Sequence, residues 1–230
     1  MKKRYQKRNT VLNTQMDPDM KFQVTESYKV ARTNLSFSVL KEGCKKIVFT
    51  SSLTGEGKST SSVNIAISLA QQVDVKVLLI DADLRKPKIN HFFNLENTTG
   101  LTNYLGRMCE LTDIIQPTEH SNLSVICSGI TVPNPSEILA STAMADLLKI
   151  LENDYDYIIM DTSPINIVID ALALARISDG VVIIVQAGVS THPELVKTIE
   201  TLERVGIKIL GFILNGTKME TKENYKYHYE

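Results

Sequence analysis

Cysteine is scarce in this chain, and that scarcity limits the classes of protein it can belong to. Only Cys44, Cys109 and Cys127 are present, and no two of them form a C-x-x-C pair. An odd number of cysteines without such spacing argues against a disulfide framework and against a zinc site. The composition suits a protein of the reducing cytosol.

Long apolar runs are also missing. No stretch approaches the ~18 consecutive apolar residues that a membrane-spanning helix needs, and the first residues lack the apolar core of a signal peptide. We therefore expect a soluble, cytoplasmic protein that reaches a membrane only through a partner.

Net charge is almost absent, because 25 basic residues oppose 26 acidic ones. Such a balance gives no overall attraction to nucleic acid, and we expect no nucleic-acid partner. The charge is uneven, however, since five basic residues crowd the first eight positions. A basic terminus of this kind is usually solvated; the alternative is contact with an anionic membrane or an acidic partner.

Strand-like and helix-like patterns alternate along most of the 230 residues. Residues 1–21 are predicted to be a flexible basic arm, 22–215 a single α/β domain, and 216–230 a disordered tail. Within the domain, the apolar runs predict strands at 46–50, 75–80, 123–127, 157–160, 180–186 and 209–214. Helices are predicted at 22–40, 59–72, 101–105, 135–151, 167–177 and 193–205. This alternation predicts a mainly parallel sheet with helices on both faces, in which ligands bind beyond the carboxyl ends of the strands.

The end of the first strand has the features of a phosphate-binding loop. Residues 46–60 read K-I-V-F-T-S-S-L-T-G-E-G-K-S-T, a Walker A motif in which a serine, Ser52, stands where the first glycine is usual. Glycines let the backbone N–H groups curl toward phosphates, Lys58 adds a positive charge, and Ser59 offers a Mg²⁺ ligand. A polar turn before a surface helix would not explain the Gly-Lys-Ser-Thr run. ATP is predicted to contact Ser52, Thr54, Gly55, Glu56, Gly57, Lys58, Ser59 and Thr60.

Two other predicted strands end in aspartate. V-L-L-I is followed by Asp81 and Asp83, and Y-I-I-M is followed by Asp161. A carboxylate at such a buried position needs a cation or hydrogen-bond donors, and Mg²⁺ with ATP supplies a cation. Asp161 and Asp83 are predicted, with Ser59, to lie at the metal, and Asp81 is the candidate proton acceptor. For either strand end alone, a helix cap or a loop turn is the alternative.

These segments resemble a known family. V-L-L-I-D-A-D-L-R-K-P is similar to the Walker A′ motif of bacterial tyrosine kinases, Y-I-I-M-D-T-S-P to their Walker B motif, and P-N-P-S-E-I-L at 133–139 to a further segment. Their Walker B motif usually ends D-T-P-P, so Ser163 departs from it. The resemblance covers about residues 22–230 and is close to capsular-polysaccharide kinases of the CapB type, which belong to the deviant-Walker P-loop ATPases. Consistent with that class, the sequence has neither H-R-D nor D-F-G.

The resemblance implies an ATP- and Mg²⁺-dependent protein-tyrosine kinase that acts in capsule or exopolysaccharide synthesis. It implies catalytic roles for Lys58, Asp81, Asp83 and Asp161, and Asn215 matches a position where related ATPases contact adenine. Arg85 is a weaker candidate for contact with phosphates or a neighbour's tail.

Partners are implied in the same way. In this family, tail tyrosines, here Tyr225, Tyr227 and Tyr229, are phosphorylated by neighbouring subunits. Glu26, Lys29 and Arg32 match an E-x-x-R-x-x-R motif linked to ring-like self-assembly, although Lys29 replaces an arginine. A transmembrane adaptor is expected to recruit the chain to the inner face of the cell membrane and to order its nucleotide site.

Two other functions stay open from sequence. A positioning ATPase of the MinD/ParA type has the same fold, but its signature lysine falls where this chain has Leu53. A scaffold that binds ATP without phosphoryl transfer is the non-enzymatic alternative; an intact set of Lys58, Asp81, Asp83 and Asp161 argues against it.

Overall fold

A sheet of seven strands forms the centre of the protein, whose computed structural model describes residues 17–217. The strands are β1 (Lys45–Ser51), β2 (Val77–Asp81), β3 (Ile115–Pro117), β4 (Leu123–Ile126), β5 (Tyr157–Asp161), β6 (Gly180–Gln186) and β7 (Ile209–Asn215). They lie in the order β3-β4-β2-β5-β1-β6-β7. Every neighbouring pair is parallel except β3 and β4. The predicted α/β fold with a mainly parallel sheet is confirmed.

Helices connect the strands. They are α1 (Pro18–Ser38), α2 (Lys58–Ala70), α3 (Ile89–Phe93), α4 (Leu101–Leu105), α5 (Leu111–Ile114), α6 (Pro135–Leu139), α7 (Thr142–Leu151), α8 (Asp170–Ala175) and α9 (His192–Arg204). Within the part of the chain that is described, no helix is both long enough and apolar enough to cross a membrane.

The sheet separates two apolar cores, because alternate residues of each strand point to opposite faces. Ile47 and Phe49 of β1 pack in the core that contains residues of α1 and α2. Val48 packs on the other face, in the core that contains residues of α7, α8 and α9. Burial on both faces explains why the central strands read as continuous apolar runs.

The sheet order brings the predicted site together. β5 lies between β1 and β2, and Asp161 is in register with Asp81 on one side and Phe49 on the other. Three strand ends that are far apart in sequence are therefore adjacent at one edge of the sheet.

The ends of several elements differ from the predictions. Helix α1 begins at Pro18, so residues 18–21 of the predicted flexible arm belong to a helix; Asp17 caps it by accepting from the N–H of Asp19. The helix predicted at 135–151 is two helices, because the Ser141 side chain caps a new helix start by accepting from the N–H of Met144. The edge strand β3 and the short helices α3 and α5 were not predicted. Residues 1–16 and 218–230, with the three tail tyrosines, lie outside the described residues.

Candidate active site

The loop between β1 and α2 has the backbone conformation that its glycines permit. Gly55 and Gly57 adopt φ angles of +87° and +90°, in the region that side chains rarely occupy. Gly57 is also packed closely, because a Cβ atom there would lie 2.0 Å from Nδ2 of Asn215. The loop ends at the amino terminus of α2, where free N–H groups and the helix dipole favour an anion.

Two predicted ATP-contacting residues of this loop turn their side chains into the protein. The fully buried Glu56 carboxylate accepts hydrogen bonds from the N–H of Leu53, at 2.8 Å, and from the Ser190 hydroxyl. The buried Ser52 hydroxyl is 2.9 Å from that of Thr198 in α9. Both side chains therefore shape the loop, and only their backbone atoms are available to a ligand.

Lys58 and Asp83 join the first and second strand ends. Their charged groups are 3.8 Å apart, and both side chains are nearly buried. Asp83 also accepts a hydrogen bond of 2.7 Å from the Ser163 hydroxyl, on the loop after β5. The position at which this chain departs from D-T-P-P thus supplies a donor that holds Asp83.

Ser59 and Asp161 join the first and third strand ends. The Ser59 hydroxyl donates a hydrogen bond of 2.5 Å to Asp161 Oδ2. Asp161 Oδ1 is buried and has no hydrogen-bond partner within residues 17–217. Burial raises the pKa of Asp161 to about 6, against the opposing effects of Lys58 and the Ser59 hydrogen bond. An unpaired buried carboxylate oxygen beside a serine hydroxyl suits a cation.

Asp81 is the last residue of β2 and is in register with Asp161 of β5. Its Oδ2 accepts from the N–H groups of Lys88 and Ile89 at 3.0 and 2.9 Å, and its side chain is nearly inaccessible. Burial, with the charge of Asp161 as the next cause, raises the pKa of Asp81 to about 8. That pKa suits proton exchange near neutral pH. The side chain does not line the cavity described next, so contact with a substrate hydroxyl would require it or its loop to move.

A cavity of about 130 Å³ lies where the three loops meet. Its polar lining comes from Thr54, Gly55, Lys58, Ser59, Asp83, Arg85, Lys86, Lys88 and Ser163. A larger groove of about 390 Å³ lies between α1 and β7, lined mostly by apolar side chains together with Asn215. The smaller cavity is the candidate active site, because Lys58 and Ser59 of the first strand end, Asp83 of the second and Ser163 of the third all line it.

The residues present fit Mg²⁺ bound together with phosphate. Within residues 17–217, no three His, Cys, Asp or Glu side chains are arranged to hold a metal ion by themselves. Mg²⁺ in phosphate sites requires less, since one or two carboxylates complete a shell of phosphate oxygens and waters. Asp161, with its unpaired Oδ1, and Ser59 meet that requirement, with Asp83 nearby.

Comparisons with known proteins agree with this geometry. A family model described as an AAA domain matches residues 44–210. The chain is 40% identical over 204 residues to the tyrosine-protein kinase YwqD of Bacillus subtilis, covering 89% of this chain and 86% of that protein. It is 42% identical over 191 residues to the tyrosine-protein kinase CpsD of Streptococcus agalactiae, covering 83% and 82%. The chain belongs to the bacterial tyrosine-protein kinases.

Solved structures extend the comparison to the fold. The kinase domain of the Escherichia coli tyrosine kinase Etk superposes on this kinase with a TM-score of 0.85 and 31% identity, covering 96% of this chain and 85% of that one. The chimerical protein CapA2B2 gives a TM-score of 0.81 and 35% identity, covering 90% and 88%. The family assignment favours the kinase hypothesis over the positioning ATPase.

The remaining predicted nucleotide contacts differ in their placement. Thr54 and Gly55 line the cavity, whereas Thr60 lies in the first turn of α2 and does not. Asn215 lies at the end of β7 and donates a 3.2 Å hydrogen bond to the backbone carbonyl of Glu56. The predicted adenine contact is therefore attached to the phosphate-binding loop.

Sequence reasoning missed one group of side chains in this kinase. Asp170 in α8 is fully buried and binds Arg85, which lines the cavity, and Ser136 in α6. A carboxylate at the start of a helix is usually a capping residue, so only the P-N-P-S-E segment and the arginine of the Walker A′ motif pointed to this region.

The predicted self-assembly residues lie on α1. Glu26 and Lys29 form an ion pair of 2.7 Å along the helix, and both side chains are 44% exposed. Arg32 instead donates a 2.8 Å hydrogen bond from Nη1 to the carbonyl of Ser68 in α2. Arg32 therefore holds α1 on α2, while Glu26 and Lys29 face solvent.

Proposed function

We propose that this kinase transfers the γ-phosphoryl group of ATP to tyrosine hydroxyls, including those of its own C-terminal tail in a neighbouring subunit, with Mg²⁺ as the metal. The observation that supports the proposal most directly is one cavity lined from three strand ends: Lys58 and Ser59 from the first, Asp83 from the second and Ser163 from the third. Thr54 and Gly55 of the loop between β1 and α2 line the same cavity.

In this proposal, the chain binds and orients the triphosphate. Backbone N–H groups of residues 54–59 and the Lys58 ammonium contact its phosphates, and Asn215 contacts the base. Ser59 and Asp161, with Asp83, hold Mg²⁺, which neutralises charge on the phosphate oxygens. The Lys58 ammonium lies 3.8 Å from Asp83, which is longer than a direct hydrogen bond, so no such bond to Asp83 has to break when the ammonium contacts a phosphate.

Asp81 and the acceptor hydroxyl define the proton step of the proposal. A tyrosine hydroxyl attacks phosphorus, the bond to the leaving oxygen of ADP breaks, and the phenolic proton leaves to a base. The raised pKa of Asp81, about 8, makes its carboxylate a strong enough base once it is ionised. Because the transition state of phosphoryl transfer is loose, positioning and charge compensation contribute more than the base.

The tail acceptors are Tyr225, Tyr227 and Tyr229, which lie outside the described residues. Gly216 and Thr217 directly follow Asn215, whose side chain contacts the phosphate-binding loop. The tail thus leaves the domain at the same edge of the sheet as the active site. Tyr225 is eight positions after Thr217, a span of at most about 28 Å when extended. That length is compatible with delivery of a tyrosine to an adjacent subunit.

Self-assembly and recruitment complete the proposal. Glu26 and Lys29 offer an exposed charged pair for a ring-like contact, and Arg32 supports it by holding α1 in place. A transmembrane adaptor recruits the kinase from the cytoplasm to the inner face of the cell membrane, in capsule or exopolysaccharide synthesis. The likeness to the chimerical protein CapA2B2 supports a partner fused or bound to this domain.

The test is incubation of the full chain with γ-labelled ATP and Mg²⁺, with and without the cytoplasmic segment of a candidate adaptor, followed by mapping of labelled residues. We expect label on tail tyrosines in the wild type and none in Lys58→Met or in the triple Tyr225/Tyr227/Tyr229→Phe variant. Lys149→Met, which changes an exposed lysine, is the matched control. ATP hydrolysis without protein labelling would favour the positioning ATPase, and nucleotide binding with neither activity would favour the scaffold.

A further inference from the structure

Arg85 occupies a cavity-lining position that its neighbours hold in place. Its Nε donates to Asp170 Oδ2 at 2.8 Å, and its Nη2 donates to Asp170 Oδ1 at 3.1 Å. This two-point contact orients the plane of the guanidinium group. The Arg85 side chain is 40% exposed, whereas that of Asp170 is wholly buried.

Ser136 is the third member of this cluster. Its hydroxyl donates a 2.5 Å hydrogen bond to Asp170 Oδ1 and lies 3.3 Å from Arg85 Nη2, which donates to it. Three segments that are remote in sequence therefore meet at Asp170: the loop after β2, the start of α6 and the start of α8. Ser136, the serine of the P-N-P-S-E segment, therefore donates to the buried Asp170 carboxylate in addition to Arg85.

The hydrogen bonds to Asp170 and Ser136 use only part of the Arg85 guanidinium group, and the rest is available to a ligand. Within residues 17–217, Nη1 of Arg85 makes no hydrogen bond, while Nε and Nη2 are both used. The cavity that Arg85 lines also contains Lys58, Lys86 and Lys88, against one carboxylate, Asp83. Cations in that excess suit a phosphoryl group, and a guanidinium held in one orientation suits its oxygens better than a free one.

We propose that Arg85 binds a phosphoryl oxygen at the mouth of the active site, and that Asp170, with Ser136, is the positioning residue that holds it there. This inference rests on the proposed function. The phosphoryl group is either the γ-phosphate of ATP or the phosphate on a product tyrosine, and the two sources are separable by experiment.

The test begins with nucleotide binding to the full chain in the presence of Mg²⁺. The affinity for a non-hydrolysable ATP analogue and the affinity for ADP are measured for the wild type and for Arg85→Gln. The first divided by the second gives a binding ratio for each protein. Loss of one charge-assisted hydrogen bond to the γ-phosphate would lower this ratio about tenfold to a hundredfold. An unchanged ratio, with a similar loss of affinity for a phosphotyrosyl peptide of residues 221–230, would identify the product phosphate instead. If neither affinity changes, Arg85 binds no phosphoryl group and the proposal is overturned.

A double variant separates the ligand role from a structural one. Arg85→Gln leaves Asp170 as a buried carboxylate without its cation, so the single variant is expected to melt at a lower temperature. Arg85→Gln/Asp170→Asn removes both charges and is expected to regain thermal stability but not the affected affinity. Recovery of that affinity in the double variant would mean that Arg85 only neutralises Asp170.

The positioning role of Asp170 has its own readouts. In Asp170→Asn, Arg85 keeps its charge but loses its fixed orientation, so kcat is expected to fall more than the KM for ATP rises. The effects of Asp170→Asn and Arg85→Gln on kcat/KM are expected to be non-additive, because both act through one guanidinium group. Additive effects would contradict the positioning role.

Lys86→Gln is the control for loss of an unanchored charge at the same mouth, and it is expected to have the smaller effect. Because the binding ratio requires no phosphoryl transfer, it remains informative if the proposed kinase activity is absent.

Discussion

The Ser59 hydroxyl donates a 2.5 Å hydrogen bond to Asp161 Oδ2, across 102 residues of sequence. The bond joins the amino terminus of α2 to the end of β5, and it leaves Asp161 Oδ1 unpaired. The two residues that we propose as Mg²⁺ ligands are thereby held in contact by the fold itself. This arrangement reduces the reorganisation that metal binding requires.

Removal of the Ser59 hydroxyl should weaken metal-dependent binding. We expect Ser59→Ala to lower the affinity for ATP in the presence of Mg²⁺ on the order of tenfold to a hundredfold, with a smaller effect in the presence of EDTA. Ser59→Thr keeps the hydroxyl and is the matched control. Calorimetric titration with and without Mg²⁺ measures the difference; equal losses under both conditions would contradict a role at the metal.

The two glycines of the loop should differ in their tolerance of alanine. Both have positive φ angles, so Gly55→Ala and Gly57→Ala each add strain of about 1–2 kcal/mol. A methyl group at Gly57 would also overlap Asn215, whereas one at Gly55 has no atom within 4 Å. We expect Gly57→Ala to lose more stability and more nucleotide affinity. Thermal denaturation should show that Asn215→Ala lowers the melting temperature less in the Gly57→Ala background than in the wild type. If the two substitutions lowered the melting temperature additively, the overlap would be contradicted.

The contact of Glu56 with Ser190 should be needed for a well-formed loop. In Glu56→Gln, an amide NH2 group replaces one of the two carboxylate oxygens. Depending on the orientation of the amide, this donor faces either the N–H of Leu53 or the Ser190 hydroxyl, each of which donates to Glu56 in the wild type. A buried group without its partner costs on the order of 2 kcal/mol, which lowers the melting temperature of a domain this size by roughly 4–8 °C. We expect weaker ATP binding as well. Thr201→Ala in α9, which removes an exposed hydroxyl, is the control and should change neither quantity.

The buried Asp81 should make stability depend on pH. Its pKa in the folded state, about 8, lies above the ordinary value of 3.8, so the folded protein favours the protonated form. The resulting stabilisation is complete below the ordinary value and is lost as the pH rises through about 8. Above about pH 6 the carboxyl of Asp161 contributes little to this slope, because its own pKa is about 6.

We therefore expect the free energy of unfolding of the nucleotide-free protein to fall between pH 6 and 8, and to fall less in Asp81→Asn. Urea denaturation at both pH values measures the difference between the two proteins. Asp146→Asn changes an exposed aspartate and should keep the wild-type dependence. If Asp81→Asn retained the full dependence, burial of Asp81 would not be its source.

The fold and the meeting of the three strand ends were predictable because they depend on local patterns. Apolar runs such as 77–80 and 157–160 form buried strands, and parallel strands direct their carboxyl ends to one edge of the sheet. Lys58, Ser59, Asp83 and Asp161 consequently meet from three separate segments, as expected. Boundaries were less predictable: residues 18–21 of the predicted flexible basic arm are helical, and the capping bond of Ser141 divides one predicted helix into two.

The directions of individual side chains, by contrast, depend on tertiary contacts. Glu56 lies in a nucleotide-binding motif, yet its carboxylate contacts Ser190, 134 residues away. Ser163 holds Asp83, and Asp170 holds Arg85 across 85 residues. The amino-acid sequence determines which groups stand at the strand ends, since that follows from local pattern and strand direction. Which of those groups face a ligand and which support a neighbour depends on contacts that exist only after the sheet and its helices have packed together.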